Sequence, residues 1–118
     1  VQNINAAGYA GGGSLITSVA TGISANGSSQ STATQLSKAM NVVSSVLAGQ
    51  AVKLPAPYPG TIMYITNTSA NSMLVFPQAN ASINSQGSNI AITQASGATI
   101  CFIAPTGSQW YTVNATYV

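Results

Sequence analysis

The sequence predicts an all-β domain: a small jelly-roll-like sandwich or barrel of about eight short strands behind an extended N-terminal arm. Three observations carry that prediction. Val, Ile and Thr are abundant and cluster in short runs. Several runs alternate apolar and polar residues, the period of a half-buried strand. Gly, Pro, Asn and Ser separate the runs at close, uneven spacing.

Residues 1–13, VQNINAAGYAGGG, read as an arm. Gly8, Gly11, Gly12 and Gly13 make it too flexible to build a core of its own, so it is expected to be held by a neighbour, with Tyr9 as its aromatic anchor. Residues 14–118 form the domain. SLITSVATGI (14–23) alternates loosely and reads as a strand. SANGSSQS (24–31) is a loop, and Asn26-Gly27 signals a type I′ turn. STATQLSKAMNVVSSVLAG (31–49) is ambiguous between helix and strand. Leu36, Met40, Val43 and Leu47 have helical spacing, whereas NVVSSV is β-branched and Ser-rich; strands are favoured. AVKLP (51–55) alternates and ends at Pro55, and PAPYPG (55–60) is a rigid turn. TIMYITN (61–67) is a strand, TSANS (68–72) a turn, and MLVFPQ (73–78) its hairpin partner. A polar connection, ANASINSQGSN, leads to IAIT (90–93), ATICFIA (98–104) and QWYTV (109–113). Trp110 and Tyr111 are adjacent, so a strand turns them to opposite faces, with Trp110 the more buried. No repeat of fixed period is visible.

Composition restricts function sharply. The 118 residues suit one domain, but only 2% are charged against the usual ~25%. Asp, Glu and His are absent, and Lys38 and Lys53 are the only cations. General acid–base catalysis lacks a group titrating near neutrality. A Ser or Cys nucleophile lacks a base and an orienting group. Ca²⁺, Mg²⁺ and Zn²⁺ sites lack carboxylates or clustered Cys and His. The chain is therefore expected to be no enzyme and to bind no cofactor or metal. Two lysines cannot neutralise a phosphate backbone, so nucleic acid is not an expected partner. GYAGGG shares only its glycines with a phosphate loop and lacks the GK[ST] ending. Four N-x-[ST] sequons, at Asn26, Asn67, Asn80 and Asn114, are close to chance for so many Asn, Ser and Thr. No apolar run reaches the ~20 residues of a membrane helix, and the first residues do not resemble a signal peptide, so synthesis in the cytoplasm without membrane attachment is expected. The single Cys101 lies in an apolar run and reads as a small buried hydrophobe. A surface so nearly neutral favours association, because little charge keeps copies apart.

The order of five pieces carries a resemblance. NVVSSVLAGQAVKLP is followed by PG, YITNTSANSMLVFP, ASIN and GATICFIAPTGSQWYTV. Across residues 32–113, about 70% of the chain, this resembles a small β-domain common in virion proteins of tailed phages. The resemblance implies a structural role and a homotrimer. It also implies a capsid decoration (cement) protein, on the outer surface of the phage capsid in the virion, with the major capsid protein as partner. The alternative is a module of a tail fibre, spike or head fibre that binds a host receptor or surface glycan. A fibre calls for a shaft of repeats or heptads, and none is visible beside the short arm, so decoration is the favoured reading. The expected interface residues are Tyr9, Gly11, Gly12, Gly13, Tyr58, Tyr111 and Tyr117, uncharged rings and an arm able to stack and pack without ion pairs.

Overall fold

The β-branched runs form ten short strands with no helix between them in the computed structural model, which describes residues 18–113. The arm, with Tyr9, Gly11, Gly12 and Gly13, and Tyr117 lie outside the described residues. In chain order the strands are β1 (Val19–Ser24), β2 (Thr34–Gln35), β3 (Met40–Ser45), β4 (Ala51–Lys53) and β5 (Thr61–Asn67). They continue as β6 (Met73–Phe76), β7 (Ser82–Ile83), β8 (Ile92–Gln94), β9 (Thr99–Ala104) and β10 (Gln109–Thr112). A six-stranded sheet has the order β1-β3-β5-β9-β10-β7, and a four-stranded sheet the order β2-β4-β6-β8.

From β1 to β8 the chain alternates between the two sheets. β1, β3 and β5 pair in parallel in one, and β2, β4 and β6 pair in parallel in the other. The result is solenoid-like, with three successive coils stacked on each other. The chain then reverses. β8 pairs antiparallel with β6, β9 with β5 and β10 with β9, and β7 joins β10 in parallel. A jelly roll is built from antiparallel neighbours, whereas most ladders among the described residues are parallel. The two-layered all-β expectation is met by a coil-like winding. The coils have unequal lengths: Val19 lies opposite Met40 and Met40 opposite Tyr64, steps of 21 and 24 residues. Thr34 opposite Val52 and Val52 opposite Val75 give steps of 18 and 23. A winding of this kind leaves no fixed period in the sequence.

Two local expectations change, and one ambiguity is settled as favoured. β6 is not the hairpin partner of β5; it belongs to the other sheet. The TSANS turn is organised by Asn67, whose Oδ1 accepts from Ser69 N at 3.0 Å and Ser69 Oγ at 2.7 Å. Its Nδ2 donates to the Asn71 carbonyl at 2.8 Å, and Asn71 Nδ2 reaches the Val46 carbonyl in the preceding coil at 2.8 Å. This turn is held by side chains to the coil beneath it and carries the chain across to the facing sheet. Asn26-Gly27 does not form a type I′ turn, which needs positive φ at both residues. Only Gly27 has it (φ 58°), while Asn26 bridges Ala51. The 31–49 segment is strand and loop. Leu36 and Val43 are buried while Met40 and Leu47 are exposed, so the four residues with helical spacing share no face.

One apolar cluster joins the sheets. Val43, Met63, Ile65 and Phe102 enter it from the six-stranded sheet, and Val52, Met73 and Val75 from the other. Trp110 is fully buried, and its Nε1 donates to the Pro55 carbonyl at 3.1 Å. Its neighbour Tyr111 is 37% exposed, as strand alternation requires.

Candidate interaction face

Strand alternation sends Val43, Met63, Ile65, Phe102 and Trp110 into the core. The residues between them stand on the outward face of the six-stranded sheet. Register aligns them in rows. Val19 lies opposite Met40, Met40 opposite Tyr64, and Tyr64 opposite Cys101. Val113 continues the row, its N donating to the Cys101 carbonyl at 2.9 Å. A second row runs from Ile62 to Ile103 to Tyr111. Val19, Met40, Ile62, Tyr111 and Val113 are each 37–55% exposed. Five of the eight exposed large hydrophobics among the described residues thus lie on this one face, and exposed apolar residues gathered in this way mark interaction sites. None of these residues carries a charge; Lys38 precedes β3 at the margin, and Lys53 belongs to the other sheet.

Cys101 is half-buried on this face, so the expectation of a buried hydrophobe is corrected. In ATICFIA every residue but Thr99 is apolar, so composition does not reveal which alternate set faces inward. Packing decides it: Ile100, Phe102 and Ala104 take the core positions. Cys101 lies directly opposite Tyr64 across the strands and raises the Tyr64 pKa above its ordinary value, with a smaller contribution from burial. Nearby, Thr66 and Thr99 share a hydroxyl–hydroxyl bond of 2.9 Å.

The opposite surface differs. On the four-stranded sheet, Lys53 lies beside Phe76, and Gln78 Nε2 donates to Gln35 Oε1 at 2.6 Å. Ala51 is wholly covered there. The sheet edges are poor templates for strand addition. β2 and β7 have two residues each and β8 three. β1 is longer, but its ladder is interrupted between Ala20 and Ile23, where Gly22 takes a φ of 65°. A bulge on an edge strand twists it away from partners.

Of the residues expected at an interface, Tyr111 lies on the apolar face, its hydroxyl 3.4 Å from Ser85 Oγ. Tyr58 is 77% exposed in the turn leading into β5, whose Thr61 N donates to the Tyr58 carbonyl. Tyr9, Gly11, Gly12, Gly13 and Tyr117 lie outside the described residues. Sequence reasoning missed Val19, Met40, Ile62, Cys101 and Val113. A signal for some of them was present: IMYI and ICFI are apolar at both alternate sets, so both faces of β5 and β9 are apolar.

Among the described residues there is no cluster of His, Cys, Asp or Glu that could hold a metal, and no helix long and apolar enough to cross a membrane. The most polar part of the interior serves the fold. Gln94 is fully buried and its Nε2 donates to the carbonyls of Ile65 and Ala98 at 2.8 and 3.0 Å, tying β8 to β5. Comparison with protein-family models, curated proteins and solved structures gave no match.

Proposed function

We propose that this chain is a non-enzymatic structural protein of a tailed-phage virion, a trimeric decoration protein. It clamps neighbouring major capsid proteins on the outer surface of the shell and stabilises them. The observation that carries this reading is the exposed apolar face of the six-stranded sheet, which bears no charged side chain among the described residues. Apolar surface of this extent marks an association site, and a chain without Asp, Glu or His offers association rather than acid–base chemistry. Near-neutral copies also crowd on one lattice with little mutual repulsion. The resemblance across residues 32–113 supports the same role.

The stacked parallel coils favour a second reading, a module of a fibre or spike, because coil stacking is how elongated solenoids are built. Exposed Tyr58 could then stack on a glycan ring. Reconstruction of intact particles with the chain tagged at an exposed loop separates the two. Copies at lattice positions around the shell are the expected result. Copies confined to the tail would reject decoration, and glycan-array binding lost in Tyr58→Ala would support the second reading.

A further inference from the structure

We infer that copies of this chain meet one another through the outward face of the six-stranded sheet. The inference rests on the reading of the chain as a self-associating virion protein and names the surface that does the associating. Four observations select a second copy as the occupant. The face bears no charge, so it can meet its own copy without like-charge repulsion and offers nothing to a partner recognised by ion pairs. It gathers five of the eight exposed large hydrophobics among the described residues, Val19, Met40, Ile62, Tyr111 and Val113, as the apolar centre of an interface requires. The edges are short or bulged, which leaves face-to-face packing rather than strand addition. The other sheet carries Lys53 and an amide network, and none of the exposed large hydrophobics among the described residues lies on its strands. Three such faces turned toward a common axis would enclose one shared apolar core, the cyclic arrangement a homotrimer requires.

The geometry supplies its own reporter. Cys101 sits mid-row on the face and is the chain's single thiol. Association through the face shields it; association elsewhere leaves it open. The experiment combines native mass measurement with maleimide labelling of the full chain. It compares wild type with Met40→Glu and Ile62→Glu on the face, and with Lys53→Glu on the other sheet. A carboxylate buried without a partner is strongly unfavourable, so both face variants should become monomeric, while Lys53→Glu should remain assembled. Cys101 should label slowly in assembled wild type and rapidly in the face variants. If a face variant fails to fold, as read by circular dichroism, dilution of wild type replaces it: labelling should accelerate as the assembly dissociates.

The failures are separable. An assembly that survives both face substitutions, with Cys101 labelling at a rate independent of concentration, overturns this face and leaves the self-associating reading standing. A wild-type chain that is monomeric at micromolar concentration overturns both. A monomeric chain whose Cys101 is shielded only on phage shells assigns the face to the capsid instead and rejects the proposal.

Discussion

Replacing Trp110 with Ala should test the core more sharply than any other single change. Trp110 is fully buried on β10, lies opposite Ile83 of β7, and joins the cluster formed by both sheets. Its carbonyl accepts from Asn84 N at 2.8 Å, and its indole donates to Pro55. Truncation removes the ring and leaves a cavity, costing about 3–5 kcal/mol for a buried Trp. It also removes the donor to the Pro55 carbonyl, which adds about 1 kcal/mol or more if no other donor replaces it. A domain with a total stability of about 5–15 kcal/mol would lose a large share of it. Trp110→Phe keeps most of the apolar volume but not the donor, so it should cost less than half as much. The chain has one Trp, so Ala removes the fluorophore along with the ring. Urea denaturation followed by far-ultraviolet circular dichroism is therefore the assay for all three proteins. A loss below about 1 kcal/mol for Trp110→Ala, the range of ordinary surface changes, would refute the placement of this ring at the centre of the core.

Three further outcomes are expected. Gly27→Ala should destabilise the fold by roughly 1–3 kcal/mol, because φ is 58° there and a Cβ would collide with the Thr32 side chain; a chemical-denaturation midpoint unchanged from wild type would contradict the loop geometry. Asn67→Ala should cost roughly 2–4 kcal/mol, since it removes a fully buried side chain and the three hydrogen bonds by which it holds the turn between β5 and β6, and faster amide exchange at Ser69 and Asn71 should report the loss locally. Thermal stability should be flat between about pH 4 and pH 7, because the chain has no Asp, Glu or His to take up protons differently in its two states. Above the ordinary Tyr value of 10.0 it should fall, because folded Tyr64 holds its proton to higher pH than the unfolded chain does. A melting temperature that rises across that alkaline range would contradict the raised Tyr64 pKa.

How far the sequence disclosed this molecule depends on which physical question each residue answers. Alternation reports which way a side chain faces, and Trp110 and Tyr111 were separable on that ground alone. It does not report which strand lies alongside. β5 and β6 read as a hairpin, but the same alternation fits strands of facing sheets, and the side-chain bonds of Asn67 and Asn71 hold the turn in that second arrangement. Coil steps of unequal length, such as 21 and 24 residues, erased the periodicity that would have revealed the winding.

The face was legible in principle. Strands apolar on both sides occur where both sides are covered, and in parallel sheets helices ordinarily supply that cover. In the described residues there is no helix to do so. β5 and β9 sit in the middle of the six-stranded sheet, with one side spent on the shared core. Ile62, Tyr64, Cys101 and Ile103 therefore remain as apolar surface on the other side. A chain this short of charge has few means of keeping such a surface solvated. The same composition that leaves the chain without Asp, Glu or His thus also favours association, because little charge keeps such surfaces apart.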